Sequence, residues 1–152
     1  MLFRSLLGRI PVGCDVNPLS LMFTAPRLAP PEVAEVARRL EEIDFATAEE
    51  LPQDLLVFFH PETLRQILAL RKYLLQRISA GVSDRVDQWI SLVALNRLTG
   101  HSPGFFSVYT LPPNQAVSVK SQTRINAQRK QVPPPRDVAK LILKKSRQLL
   151  AD

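Results

Sequence analysis

Thirteen prolines set the grain of this chain. Proline has no main-chain N–H and its ring clashes with the preceding helical turn, so it is tolerated in the first turn of a helix and breaks one elsewhere. Pro18, Pro30-Pro31, Pro61, Pro112-Pro113 and Pro133 to Pro135 therefore cut the sequence into separate short elements. Between the breaks the apolar residues recur at helical spacing, which makes the expected fold mainly α.

Asn17-Pro18 opens a helix over about 19–27. After Pro31, the residues Val33, Val36, Ala37, Leu40 and Ile43 form one apolar stripe, with Glu32 and Glu35 at the end that favours negative charge. An acidic connector over 44–56 leads to Pro61. There the strongest helix begins, running through about Ile78, and Leu64, Ile67, Leu68, Leu70, Leu74, Leu75 and Ile78 give it a wide apolar face. That face predicts a central packing element. Ala80 to Ser83 is a hinge, Ser83 or Asp84 caps a helix to Leu98, and Gly100 ends it. Residues 99–119 read as a long ordered loop, and 136–150 as a basic amphipathic helix with Val138, Leu141, Ile142 and Leu149 on one side. At the other end, Leu2, Phe3, Leu6 and Leu7 sit at helical spacing and stop at Gly8. One short β-prone run over 10–16 follows, the single strand expected. Three units result: 1–30, 31–110 and 111–152.

Composition enters as exclusion. No apolar run approaches the roughly 18–20 residues of a membrane span. Arg4 and Arg9 interrupt the start, which lacks the pattern of a secretory signal. A single cysteine, Cys14, precludes an internal disulfide framework and any multi-cysteine metal site, and two histidines, His60 and His101, show no zinc spacing. No metal is expected, and the cytoplasm is the expected compartment. The net charge of +6 is unevenly held. Residues 111–152 carry nine basic side chains against two acidic ones, a net +7, which leaves −1 for residues 1–110. A one-signed cluster of this kind suits a polyanion, nucleic acid first, or serves as a solvated helix face.

Two stretches could carry chemistry. Asp15 closes the expected strand just before Asn17-Pro18. A carboxylate at the carboxyl end of a strand in a doubly wound sheet accepts hydrogen bonds from both hydroxyls of a ribose, and the same residue also caps a following helix. The second stretch is Thr99-Gly100-His101-Ser102-Pro103-Gly104-Phe105-Phe106-Ser107-Val108-Tyr109. His101 and Ser102 are adjacent and lack a nearby carboxylate, so they do not make a triad. Either this segment packs as a loop, or Phe105, Phe106 and Tyr109, close to a basic segment, stack on exposed bases. Trp89 and the 64–78 stripe read as core, and Cys14 as a small hydrophobe.

Taken together, these residues resemble a family. Leu7-Gly8-Arg9-Ile10-Pro11-Val12-Gly13-Cys14-Asp15-Val16-Asn17-Pro18-Leu19, followed by Pro30-Pro31 and a helix, is similar to the segment after the cofactor loop of bacterial DNA methyltransferases that modify the amino group of adenine or cytosine. The pattern from Trp89 to Arg97, then Thr99 to Ser102, Phe105 to Tyr109, Ile125-Asn126 and Pro135 to Val138, resembles the helical insertion some members carry. The resemblance implies a helical segment of an α/β Rossmann-like enzyme of DNA methylation and restriction-modification. It implies S-adenosylmethionine as cofactor, with Asp15, Asn17 and Pro18 at its ribose and adenosine. It also implies DNA as partner, facing His101, Ser102, Phe105, Phe106, Tyr109, Lys120, Arg124, Arg129 and Lys130. Two family blocks have no counterpart here. No Gly-x-Gly loop lies upstream of Leu7, and Pro112-Pro113 lies between Leu111 and Asn114 rather than between a polar residue and an aromatic ring. That block holds the flipped base. The chain is therefore expected to be inactive alone, with no catalytic residue of its own, and to need a further polypeptide segment carrying both blocks. The alternative expectation is a non-catalytic helical nucleic-acid-binding or interaction protein with a basic C-terminal arm.

Overall fold

A computed structural model describes residues 15–17, 19–46, 50–111 and 117–151. Six α-helices occur among them: α1 (Leu19–Thr24), α2 (Val33–Glu41), α3 (Pro61–Ser79), α4 (Arg85–Arg97), α5 (Val119–Arg129) and α6 (Val138–Leu150). Two 3-10 turns, Ala25–Arg27 and Gln53–Leu55, extend α1 and prepare the approach to α3. The described residues contain no strand, only a parallel bridge between Gly100 and Tyr109. Residues 10–14 of the expected strand, the helix end at Gly8 and Pro18 lie outside the described residues. Asp15 to Asn17 form an irregular turn instead of a strand end.

The helix starts follow from side chains that satisfy the first free N–H groups. At α2, Glu32 and Glu35 form a reciprocal capping box. His60 Nδ1 accepts from Glu62 N at 3.2 Å, with Pro61 at the first helical position of α3. Asp84 accepts from Val86 N at 2.9 Å and Asp87 N at 3.0 Å, while Asp87 reaches back to Asp84 N at 3.1 Å. Gly81, at φ +69°, takes the left-handed turn that closes α3, a conformation glycine adopts without a Cβ penalty.

One apolar cluster holds these helices together. Val36, Leu40, Leu64, Leu70, Trp89, Ile90, Val93, Phe106, Val138 and Ile142 all belong to it, so the cluster joins the 31–110 and 111–152 segments. Its most enclosed helix is α4, where Val86, Trp89, Ile90, Leu92 and Val93 are buried. This differs from the expectation for α3. The first half of α3 buries Leu64, Ala69 and Leu70, but Leu75 and Ile78 in its second half are exposed. Helix α6 packs across α2, α4 and α3, which covers the other side of α4. The Trp89 indole donates to Ser146 Oγ at 3.0 Å within this seam, and both residues are buried.

A paired-charge cluster ties α2, α3 and α4 at their ends. Asp87 is 1% exposed and accepts from Arg39 and from Arg77 Nε, the latter at 2.6 Å. Asp84 accepts from Arg39 Nη2 at 2.7 Å. The hydrogen bond from Arg39 holds the Asp84 carboxyl down at about 2, and the hydrogen bond to Asp84 raises the Arg39 guanidinium in turn. Each oxygen of the buried Asp87 carboxylate meets a guanidinium, as a buried ionic group requires.

Candidate nucleic-acid interface

The 98–111 loop is fastened from both ends. Phe106 N donates to Arg97 O at 2.8 Å, Thr110 N to Gly100 O at 3.1 Å, and Val108 N to Phe58 O at 2.8 Å. Gly100 lies against the Phe105 ring so closely that a Cβ there would stand 2.5 Å from it. Any side chain at 100 would displace the ring. Phe105 in turn carries the Arg97 guanidinium, 4.4 Å from its centroid, and has the His101 ring 6.1 Å away. His101 and Ser102 are exposed.

The rings expected to meet bases separate in the structure. Phe106 is 1% exposed and belongs to the core, which removes it from any interface. Tyr109 is half-buried beneath Arg129, whose guanidinium carbon lies 3.8 Å from the ring centroid. Phe105 remains at the surface in part, beneath Arg97.

Helix α5 lies between the expected 99–119 loop and the expected C-terminal helix, in a span where no helix is expected, and its packing explains why. Its buried face is amide rather than hydrocarbon. Gln122, wholly buried, donates to Tyr109 O at 3.0 Å and to Asn126 Oδ1 at 2.8 Å. Asn126 donates to Val57 O at 2.8 Å, and Gln131 donates to Tyr109 O at 3.0 Å and Asn126 Oδ1 at 2.7 Å. These bonds dock α5 on the loop and on the turn before α3.

Helical geometry then sorts the expected cations. Residues four apart share a face, so Lys120 and Arg124 stand together on the outer side of α5, both exposed. Arg129, nine residues beyond Lys120, projects from the opposite side, towards Tyr109. Lys130 is exposed and takes the left-handed conformation at φ 49°, closing the helix where glycine is the usual residue. Sequence reasoning counted the α6 cations but did not single them out. Lys140, Lys144 and Arg147 lie at spacings of four and three on the side away from buried Val138, Ile142 and Ser146, and all three are exposed. That spacing was the available signal. Among described residues 117–151 the one acidic side chain is Asp137, which caps α6 at Lys140 N and pairs with Lys140 Nζ at 3.0 Å.

Asp15 and Asn17 stand apart from this surface, at the start of α1. Asp15 Oδ1 accepts from Asn17 N at 2.9 Å, and Oδ2 accepts from Ser20 Oγ at 2.6 Å. Asn17 Oδ1 accepts from Leu19 N at 3.0 Å. The bond from Ser20, then that from Asn17 N, lowers the Asp15 carboxyl below its ordinary value, so it is ionised at neutral pH. Asn17 thus caps α1 through Leu19 N, while Asp15 braces the turn ahead of the helix. The Asp15 carboxylate is exposed and only an acceptor, the chemistry a ribose diol needs.

Behind α1 runs an apolar groove of about 430 Å³, lined by Leu21, Met22, Leu74 and Ile78, with Asp87 also on its wall. Among the described residues no group of histidine, cysteine or carboxylate side chains could hold a metal ion, and no helix is long and apolar enough to cross a membrane. No protein-family model matches this chain, and no curated protein or solved structure is significantly similar to it.

Proposed function

We propose that this chain is the DNA-facing helical part of an S-adenosylmethionine-dependent methyltransferase acting on an exocyclic amino group of adenine or cytosine. The observation that carries the reading is the outer cation surface of α5 and α6. Lys120, Arg124, Lys140, Lys144 and Arg147 are all exposed, and Asp137 is the one acidic side chain among the described residues 117–151. Such a surface gains affinity for a duplex or strand by releasing its condensed counterions, whatever the base sequence. The choice of methyltransferase over a free-standing binder rests on the sequence resemblance and on the exposed, ionised carboxylate of Asp15.

In this reading Asp15 accepts from the ribose hydroxyls of the cofactor, while Asn17 and Pro18 shape the turn beside the adenosine. S-adenosylmethionine supplies the methyl group when bound. A further polypeptide segment of the same Rossmann-like enzyme carries the Gly-rich loop and the Pro-Pro-aromatic block, and the assembly works in the cytoplasm. The second reading, a non-catalytic helical nucleic-acid-binding protein, is favoured by the fact that both Asp15 oxygens are already engaged within the chain, by Asn17 N and Ser20 Oγ.

Fluorescence anisotropy with labelled duplex DNA tests the shared part. Binding is expected to weaken steeply with salt, and Lys120→Glu with Arg124→Glu to lower affinity about tenfold or more; affinity indifferent to both would sink the interface. Calorimetry separates the two readings. With a polypeptide carrying the two missing blocks, cofactor binding is expected and Asp15→Ala should abolish it; tight binding that survives Asp15→Ala removes Asp15 from the role.

A further inference from the structure

Arg97 differs from Arg39 and Arg77 in what its guanidinium meets. Arg39 and Arg77 each meet carboxylates through the Asp84–Asp87 pair. Arg97 is half-buried, yet among the described residues its guanidinium has no carboxylate or hydrogen-bond partner, and its Nε is buried without one. Removing part of a guanidinium from water without a compensating acceptor is costly. The Phe105 ring below it holds the group in place but offers only its π face, leaving the planar fork of N–H donors unused.

What faces that fork is a gap with donors around it. Gly104 lies between Arg97 and Ser102, and a Cβ at Gly104 would stand 3.9 Å from both Arg97 Nη1 and Ser102 Oγ. A cation and a hydroxyl thus flank the bare main chain at 104, and the turn is closed by Phe105 N donating to Ser102 O at 3.1 Å. His101 stands exposed on the neighbouring side, beside Phe105. An arginine fork with no protein partner, a hydroxyl and an unobstructed backbone are the parts from which oxyanion sites are made, with arginine supplying bidentate geometry.

We propose that Arg97, Ser102 and Gly104 form a phosphate-binding site, and that it takes a phosphodiester of the bound nucleic acid. The identity of the phosphate's source rests on the function proposed above; the site itself does not. It adds an anchor within the loop itself, distinct from the outer cations of α5 and α6. The anchored phosphate sits beside the exposed His101 and the partly exposed Phe105 edge, where an adjoining base can lie.

The full chain is heated in inorganic phosphate or chloride at matched ionic strength, as wild type, Arg97→Gln and Gly104→Ala. Gly104 has an ordinary negative φ and an added methyl meets nothing closer than 3.9 Å, so Gly104→Ala keeps fold and charge and only fills the gap. It remains informative should Arg97→Gln fail to fold. Wild type is expected to melt higher in phosphate than in chloride, by the linkage of a ligand to the folded state, and Gly104→Ala to lose that rise. No rise in wild type, or a rise unchanged in Gly104→Ala, overturns the site. In parallel, single-stranded oligonucleotide affinity should fall about tenfold in Arg97→Gln, with a salt slope smaller by about 0.7, one phosphate contact's worth. A phosphate effect lost in Gly104→Ala without any oligonucleotide binding keeps the site and assigns it to free phosphate, ending the nucleic-acid reading. Oligonucleotide binding that depends on Lys120 and Arg124 but not on Arg97 or Gly104 ends the site and keeps that reading.

Discussion

The α2–α3–α4 body and the C-terminal layer use positive charge in opposite ways. In the body, Arg39 and Arg77 converge on Asp84 and Asp87, and their charge is spent internally. In the layer, Lys120, Arg124, Lys144 and Arg147 reach solvent on faces that carry no acid, and Asp137 touches only Lys140 at the first turn of α6. The difference teaches that counting arginines and lysines locates neither a site nor a scaffold. What distinguishes them is whether a carboxylate has been placed within reach.

The comparison breaks most visibly at Asp87. Asp87→Ala leaves two enclosed guanidinium groups facing a cavity, and equilibrium urea unfolding should record a loss of about 3–5 kcal/mol. A loss under about 1 kcal/mol would mean the body's pairing is not structural. The amide face of α5 comes next. Asn126→Ala strands Val57 O and the amides of Gln122 and Gln131, for an expected loss of about 1–3 kcal/mol by the same measurement.

A smaller effect is expected in acid. The folded Asp84 carboxyl sits at about 2 against an ordinary 3.8, so its contribution is full above the higher value and disappears as pH falls towards the lower. Because its side chain is 43% exposed, solvent screening reduces this to about 1 kcal/mol or less. Urea midpoints taken from pH 5 to pH 2.5 should show a shallower decline in Asp84→Asn than in wild type. Smallest of all is the cost of reversing the layer. Lys140→Glu with Lys144→Glu should change stability by no more than about 0.5 kcal/mol while weakening DNA binding in anisotropy. A double variant that unfolds would show these cations to be structural after all.

How much of this was legible in the sequence depended on what each element buries. Helices α2, α3, α4 and α6 bury hydrocarbon at helical spacing, so stripes such as Val36–Leu40 and Val138–Ile142 announce them. The Asp84 cap and the proline starts announce their first turns. Helix α5 buries Gln122 and half-buries Asn126, which look like surface residues in any periodicity argument, so apolar spacing announces no helix over its span. The exposed end of α3 misleads for the complementary reason. Leu75 and Ile78 look like core but are half-exposed, and only the three-dimensional arrangement places Ile78 beside the groove behind α1. In the site, spacing reveals that Lys120 and Arg124 share a face, but cannot reveal that Tyr109 lies under Arg129 or that Arg97 lacks a carboxylate. Those depend on contacts across a folded loop.

The buried bond between Trp89 and Ser146 has a wider consequence. Aliphatic contacts along α6 fix which face turns inward but tolerate small rotations about the axis. Ser146 continues the inward line of Val138 and Ile142 at four-residue steps, and its hydroxyl gives the indole N–H one mate in an otherwise oily seam. That bond acts as a key cut for a single rotation. Lys140, Lys144 and Arg147 point outward because Val138, Ile142 and Ser146 point in, and the serine sharpens that bearing, so the compass of the charged surface is set deep inside the protein.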